Sequence, residues 1–338
     1  MVATPHERVN IRQVATRAGV SPMTVSRVLN GSPRVLPDTR QRVLEVVSEL
    51  NYRPSGVARA LATQRTRRIG VLMDSVAEHG PTSTLRAIEF AAREAGYTVT
   101  SVSIRDDSRP PEEAVAHLTD QGVDALCVVA PRSSSVSAIK RIDVGLPVLV
   151  VKTERDDAFL TVSVDQRLGT HLAVDHLANL GHQDILHLAG PLDWLDARSR
   201  ERAFHARAQS WGMRERPIVV GDWTADFGYE FAREITRLPE YTAVFAANDE
   251  MALGVIHGLT ENGIRVPQDV SVVGFDDLPT SRHFLPPLTT VRQDFHALGL
   301  AAMDVLQAAI EGRQIPQRTK IPVELVVRKS SAPPRDAR

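Results

Sequence analysis

From Ile69 onward short apolar runs alternate with amphipathic stretches, and no other feature limits the possible folds as strongly. Runs at 69–73, 97–102, 125–129 and 148–151 are separated by helix-period segments near 82–95, 111–121 and 134–142. The rhythm resumes with helices near 167–180, 198–211, 227–237 and 250–262 and strands near 185–188, 218–220, 243–246 and 271–275. Short, wholly apolar strands are buried on both faces and need helices to cover them, so the pattern predicts an α/β core of doubly wound parallel sheets. Two such series imply two lobes with a cleft between them. Open α/β sheets bind ligands beyond the carboxyl ends of their strands. Asp74 follows the first run there, Asn248 and Asp249 follow Val244–Ala247, and Asp276 and Asp277 follow Val272–Phe275. With Arg198, Trp223 and Phe295 at similar loop positions, the chain offers polar groups for a hydroxyl network and aromatic faces for a ring. Any one of these residues is at least as well explained as a helix cap or a packing residue; their joint occurrence carries the expectation.

The first 68 residues are of another kind. They hold twelve arginines against Glu7, Asp38, Glu45 and Glu49, a charge of +8, which leaves −9 for the remainder of a chain whose total is −1. A basic module on an acidic body suits a polyanion partner, because each neutralised phosphate releases counterions. Ile11, Val14, Ala15 and Ala18 repeat at helical spacing, and Gly19 ends that helix. Ser21 and Pro22 restart a second one, as N-cap and first helical residue, with Val25, Val28 and Leu29 facing inward. A third helix opens at Pro37-Asp38 and carries Val43, Val46, Val47 and Leu50 as a roof. Two short helices joined by a glycine turn form a helix-turn-helix, whose second member enters the major groove. Its first residues, Pro22, Met23, Thr24, Ser26 and Arg27, are the expected readers of base edges. The stretch Ser55–Leu61 is helix-prone but too short to hold alone, so it is expected to fold only against a partner.

The run Ile11–Asn30 (IRQVATRAGVSPMTVSRVLN), then Glu49–Pro54 (ELNYRP) and Val57–Leu61 (VARAL), resembles the headpiece and hinge of the LacI/GalR family of transcriptional repressors. The resemblance implies DNA contacts from Ser21, Pro22, Met23, Thr24, Ser26, Arg27 and Asn30, with Arg27 on guanine. It also implies that Val57, Ala58 and Leu61 act in the hinge, with Leu61 wedged into the minor groove; an apolar wedge of this kind kinks DNA. Leu36 departs from the pattern, since the family often has Ser or Thr capping the third helix. The likeness continues through nearly all of residues 9–330, in segments such as Leu188–Pro191, Gly221–Thr224, Ala247–Gly254, Val272–Asp277 and Thr289–Phe295. By position it implies that Arg198, Asn248 and Asp276 bind sugar hydroxyls, that Trp223 and Phe295 stack on the ring, and that Gln293 contributes where the chain crosses between lobes. His79 and Val164 would line the wall, and Asp74 and Lys152 complete the candidate effector set. Lys152 and Val164 stand where the sugar-binding pattern has aspartate and phenylalanine, so the sugar face beside them is expected to be read differently.

The expected organisation is a headpiece over 9–54, a hinge over 55–66, one lobe from 67–164 plus 295–322, a second from 165–294 plus 323–334, and a disordered tail over 335–338. The expected function is repression of a carbohydrate-utilisation operon, relieved by a small, galactoside-like or other glycoside bound between the lobes of a homodimer on double-stranded operator DNA. No apolar heptads follow Val323–Val327, which favours the dimer. No apolar stretch approaches the roughly 18 residues of a membrane span, and the start lacks a secretory signal, so a cytoplasmic protein without membrane contact is expected. Cys127 is alone and lies in an apolar run, which argues for a buried, inert thiol and against redox or metal chemistry; no cofactor is expected. Two rivals are a periplasmic-type carbohydrate-binding protein and a corepressor-dependent regulator answering to a non-sugar metabolite. Asp276, Asp277 and His79 could be imagined as acid and base, but the sequence has no G-x-S-x-G, P-loop, G-x-G-x-x-G or H-E-x-x-H pattern, so an enzyme is not expected.

Overall fold

A computed structural model of the chain describes residues 9–29, 31–52, 65–74, 77–104, 110–129, 132–152, 158–237, 239–315 and 319–335. The chain divides into two compact units, Met1–Thr66 and Arg67–Arg338.

In the first unit, α1 (Ile11–Ala18) is opened by a capping box that the sequence reading did not anticipate: Asn10 Oδ1 accepts from the Arg12 and Gln13 amides, and Gln13 Oε1 accepts from the Asn10 amide at 2.7 Å. Gly19 ends the helix in the left-handed region at φ +66°, where glycine carries no Cβ penalty. Helix α2 (Pro22–Leu29) starts as expected, with Ser21 Oγ accepting from the Thr24 amide at 3.1 Å. Helix α3 (Pro37–Glu49) has no side-chain cap; Leu36 stands at that position, exposed, and Pro37 with Asp38 in the first turn opens the helix. Val14, Val25 and Val43 are fully buried where the three helices meet, joined by Ala15, Ala18, Val28 and Val46. Each buried valine contributes about 1.5–3 kcal/mol, so this small core depends on few side chains.

The second unit holds two six-stranded sheets among the described residues. The first contains β1 (Arg68–Met73), β2 (Thr98–Ser103), β3 (Ala125–Val129), β4 (Val148–Val151), β5 (Leu160–Val164) and β11 (Thr319–Ile321), in the order β11-β5-β4-β3-β1-β2, all pairs parallel. The second contains β6 (Ile185–Ala189), β7 (Val219–Val220), β8 (Ala243–Ala246), β9 (Ser271–Asp276), β10 (Thr289–Gln293) and β12 (Val323–Val326), ordered β12-β10-β9-β8-β6-β7. Its pairs are parallel except β10 with β12. Both sheets share one doubly wound order, whose ligand crevices lie at the carboxyl ends.

Helices α4 (His79–Glu94), α5 (Pro111–Asp120) and α6 (Ser133–Ile139) connect the strands of the first sheet, and α11 (Phe295–Glu311) returns to pack on α4. Helices α7 (Gln166–Asn179), α8 (Leu195–Ser210), α9 (Ala225–Arg233) and α10 (Asp249–Glu261) serve the second. The chain passes between the sheets after β5, β10 and β11, so Gln166, Gln293 and Phe295 sit where the lobes join. Cys127 is fully buried on β3 and its thiol is pushed up to about 12 by burial, which keeps it protonated and inert. The terminal segment is pinned to the second sheet: the Val272 amide donates to Ser330 O at 2.7 Å and Ser330 Oγ to Val272 O at 2.6 Å. Arg335, expected in a disordered tail, instead donates to the carbonyls of Asp269 and Pro239, two acceptors that fix its guanidinium. Among the described residues no helix is long and apolar enough to cross a membrane.

Candidate functional site

On α2, Pro22, Met23 and Arg27 are exposed and Thr24 and Ser26 half-buried, while Val25 and Val28 turn into the core. The helix therefore presents the expected side chains on its outer face. Arg27 Nη2 lies 3.6 Å from Met23 Sδ, one turn away, so the guanidinium sits over the first turn of the helix, the part that meets base edges in this motif. Ser21 is occupied as the cap, its Oγ also 2.9 Å from Thr24 Oγ1. Asn30 and the hinge positions Val57, Ala58 and Leu61 lie outside the described residues.

The second unit contains an open cavity at the carboxyl ends of its strands, about 680 Å³ when the solvent-open mouth is included. Of the expected effector residues, His79, Lys152, Val164, Trp223, Asn248, Asp276, Gln293 and Phe295 line it. Two do not. Asp74 is buried beside the start of α6, accepting from the Arg132 amide and Ser135 Oγ, both at 2.6 Å, where it organises a loop; burial raises its carboxyl pKa. Arg198 points away, with Nε and Nη2 on Leu192 O at 3.2 and 2.9 Å and Nη2 on Ser133 Oγ. The arginine in the wall is Arg200, two residues further along α8 and so about 200° around the helix.

Arg200 is 4% exposed and fully engaged. Its Nε donates to Gln166 Oε1 at 2.8 Å, Nη1 donates to Ala247 O, Nη2 lies 3.8 Å from Asp276 Oδ1, and the guanidinium stacks 3.8 Å from the Phe275 ring centroid. Gln166 Nε2 reaches Gln293 Oε1 at 3.2 Å, and Gln293 Nε2 donates to Asp276 Oδ1 at 2.6 Å. A single hydrogen-bonded chain thus runs through both crossover glutamines to Asp276. Burial pushes the Asp276 carboxyl up to about 6, with Arg200 and Gln293 pulling it back.

Two lining residues carry unusual backbones, Trp223 at φ +78° and Asp276 at φ +112°. Such conformations are costly for residues with a Cβ and persist only when the surroundings fix them. Asn248 Nδ2 holds Trp223 O at 2.8 Å while its Oδ1 caps α10 through the Met251 amide. Gly190 lies against the indole, where an added Cβ would come within 2.1 Å of Trp223 Cη2. Beyond Asp276, the Asp277 carboxylate is gripped by Arg292 and Arg328, each at 2.6 Å. Buried Asp249 accepts from Leu278 N, Ser281 Oγ and Thr290 Oγ1.

The cavity also includes Glu78, Ser163, Gln166, Trp194 and Asp196, which the sequence reading passed over. Glu78 follows β1 and Trp194 and Asp196 follow β6, so the carboxyl-end rule applied to every strand would have found them. Ser163 and Gln166 belong to β5 (LTVSV) and its exit, a strand that is not among the apolar runs read from the sequence. Among the described residues no group of three or more His, Cys, Asp or Glu is arranged to hold a metal ion.

Residues 10–55 match the model of bacterial regulatory proteins of the lacI family, and residues 174–331 match a periplasmic binding protein-like domain. The lactose operon repressor of Escherichia coli (strain K12) is 36% identical over 334 residues, covering 96% of this chain and 91% of the relative. The chain belongs to the LacI family. As a LacI-family protein it is a DNA-binding transcriptional repressor, and its relatives are regulators, not enzymes. The HTH-type transcriptional repressor PurR of Haemophilus influenzae (strain ATCC 51907 / DSM 11121 / KW20 / Rd) is 34% identical over 328 residues, 95% of this chain and 98% of the relative. A crystal structure of the lac repressor dimer bound to operator and the anti-inducer ONPF superposes with a TM-score of 0.84 at 35% identity, covering 96% of this chain and all of that one. In this LacI-family chain the helix-turn-helix is the α1–α2 pair, and the cavity lies in the periplasmic-binding-like unit.

Proposed function

We propose that this repressor grips a pseudo-palindromic operator as a homodimer and is released when a small carbohydrate fills the cavity, so that it controls a carbohydrate-utilisation operon. The arrangement of aromatic rings carries the reading. Trp194 and Trp223 meet at 77° with centroids 5.9 Å apart, and His79 and Phe295 at 74° and 5.7 Å. A flat heterocycle is best held between parallel plates, whereas walls at right angles suit a puckered ring whose apolar face rests on one indole while its hydroxyls point at Asp276, Asn248 and Gln293. The PurR relative is consistent with a non-sugar corepressor, but these rings favour the saccharide. The lactose operon repressor and the operator-bound lac repressor dimer support induction and the dimer.

Ligand and DNA are linked only if the ligand binds the DNA-competent and released states with different affinity. The reading is tested by fluorescence anisotropy on a duplex selected by the full chain from a randomised pool, titrated in turn with lactose, galactose and cellobiose. One of these sugars is expected to weaken duplex binding by about five- to 150-fold, which is what a coupling of about 1–3 kcal/mol amounts to. Asp276→Ala should hold the duplex and ignore the sugar. Tighter duplex binding on addition of sugar, or release of Asp276→Ala at the same sugar concentration, would overturn it. Sedimentation of the free protein should give the mass of a dimer.

A further inference from the structure

Among the described residues, four buried polar atoms on side chains that line the cavity have no hydrogen-bond partner: Glu78 Oε2, Ser163 Oγ, Trp194 Nε1 and Trp223 Nε1. Buried polar groups are nearly always paired, so four unpaired ones around one cavity mark a place where a bound ligand would supply the partners. Three of the four side chains are more than nine-tenths buried, Ser163 at 2%, Trp194 at 5% and Trp223 at 8% exposure. They come from β5, the loop after β6 and the loop after β7, while Glu78 precedes α4, so no local motif accounts for the grouping. Trp194 is held from behind by the Arg132 guanidinium, 5.0 Å from its ring centroid, and Trp223 by Asn248 and Gly190.

The chemistry of the four atoms is selective. Each indole N–H only donates, the carboxylate oxygen only accepts, and the serine hydroxyl does both. A sugar hydroxyl both donates and accepts, and can therefore satisfy every member of the set. A carboxylate or phosphate on the ligand has no proton for Glu78 and brings negative charge towards it, with Asp196 and Asp276 in the same wall. The cations in the lining do not offset this: the three carboxylates Glu78, Asp196 and Asp276 outnumber Arg200 and Lys152, and Arg200 is already directed to Gln166, Ala247 and Asp276.

We propose that Glu78, Ser163, Trp194 and the Trp223 N–H form a hydroxyl-reading corner that selects an uncharged saccharide and excludes sugar acids and sugar phosphates. The proposal rests on the carbohydrate reading above and narrows it to a charge class.

The test is calorimetry on the full-length protein with galactose, glucose, lactose and cellobiose, with galacturonate, glucuronate and the two hexose 6-phosphates, and with hypoxanthine. One neutral sugar should bind, and its acid or phosphate counterpart at least about tenfold more weakly, the cost of one lost charged hydrogen bond. Glu78→Gln keeps the shape but removes the acceptor charge; it should weaken the neutral sugar about tenfold and narrow its advantage over the acid. Trp194→Phe removes one donor and should weaken the neutral sugar several-fold to tenfold without changing that ratio. Melting temperatures equal to that of the parent will establish that both variants are folded; should Glu78→Gln melt lower, the neutral-to-acid affinity ratio, which partial unfolding does not move, decides. Wild-type affinity for the neutral sugar in both variants, or a sugar acid or phosphate bound as tightly as its neutral parent, would overturn the corner while leaving the carbohydrate reading intact. Binding of hypoxanthine with no response to any sugar would overturn both.

Discussion

Helix α2 gathers its reading side chains from one stretch of eight residues, whereas the cavity collects its own from segments scattered between Glu78 and Leu298. On α2 the functional groups are exposed at Pro22, Met23 and Arg27 and half-buried at Thr24 and Ser26, their positions fixed by helical period and by the Ser21 cap. In the cavity they are buried, engaged with one another, and held at two points by backbones that only the surroundings sustain. The contrast teaches where function and stability separate. A reading side chain can be removed with little harm to the headpiece, but several cavity residues are also structural members of the lobe that carries them.

Arg200→Ala should break the cavity most severely. It strands the Ala247 carbonyl and leaves Asp276 buried without its nearest cation, so about 3–5 kcal/mol of stability should be lost in urea denaturation of the core. Arg198→Ala, a nominally similar change two residues away, removes bonds to Leu192 O and Ser133 Oγ and should cost about 1 kcal/mol. Equal losses would mean that the two arginines are equivalent and that the cavity wall is not organised as described.

The same pair shows what could be read from the amino-acid order. The three headpiece helices and the alternating strands and helices of both lobes followed from period, caps and apolar runs, since those signals are local. The mixed strands β5 and β10, the short β11 and β12, and helix α11 gave no comparable signal. In α11, FHALGLAAMDVLQAAIE, the exposed stripe of His296, Leu300, Asp304 and Glu311, with half-buried Gln307, is narrow and broken by an apolar residue, while α4 and the first sheet cover the rest, so its period is a faint signal. Arg198 and Arg200 both follow β6, and only the direction in which α8 leaves Trp194 decides which one faces the ligand; that direction is set by tertiary packing. Asp74 likewise follows a strand but turns to Arg132 and Ser135.

Arg27→Ala sharpens the other half of the comparison. It should weaken binding to the selected duplex by about 1–3 kcal/mol and relax preference at one base pair, with the melting temperature of the protein unchanged. Unaltered preference among mismatched duplexes would remove Arg27 from the reading set.

Acidification separates the two surfaces without mutation. Asp276 titrates at about 6, raised by burial above an ordinary carboxylate, so on lowering the pH the folded protein takes up this proton before the unfolded chain does. The sign is that this carboxylate favours the folded state more as pH falls from about 6 towards about 4, while its protonation removes an acceptor from the saccharide. Sugar affinity should therefore fall by up to about tenfold per unit below pH 6, and Asp276→Asn should flatten the profile. His79 in the same cavity has its pKa lowered by burial and by Arg86. A profile that persists unchanged in Asp276→Asn would assign the titration elsewhere.

Gly19→Ala probes the joint that aims α2. At φ +66° the Gly19 amide donates to Thr16 O at 3.3 Å and the Val20 amide to Ala15 O at 3.0 Å, closing α1 before Ser21 opens the next helix. An added Cβ meets no atom within 4 Å, so the penalty comes from the backbone alone, about 1 kcal/mol of headpiece stability. Gly19→Asn should recover part of it, since asparagine tolerates the left-handed region. Sequence preference should be unchanged in both variants, because the groups that face the DNA are untouched. Altered preference would mean that the turn helps set what the helix reads, and that even in the headpiece reading and scaffold are not separable.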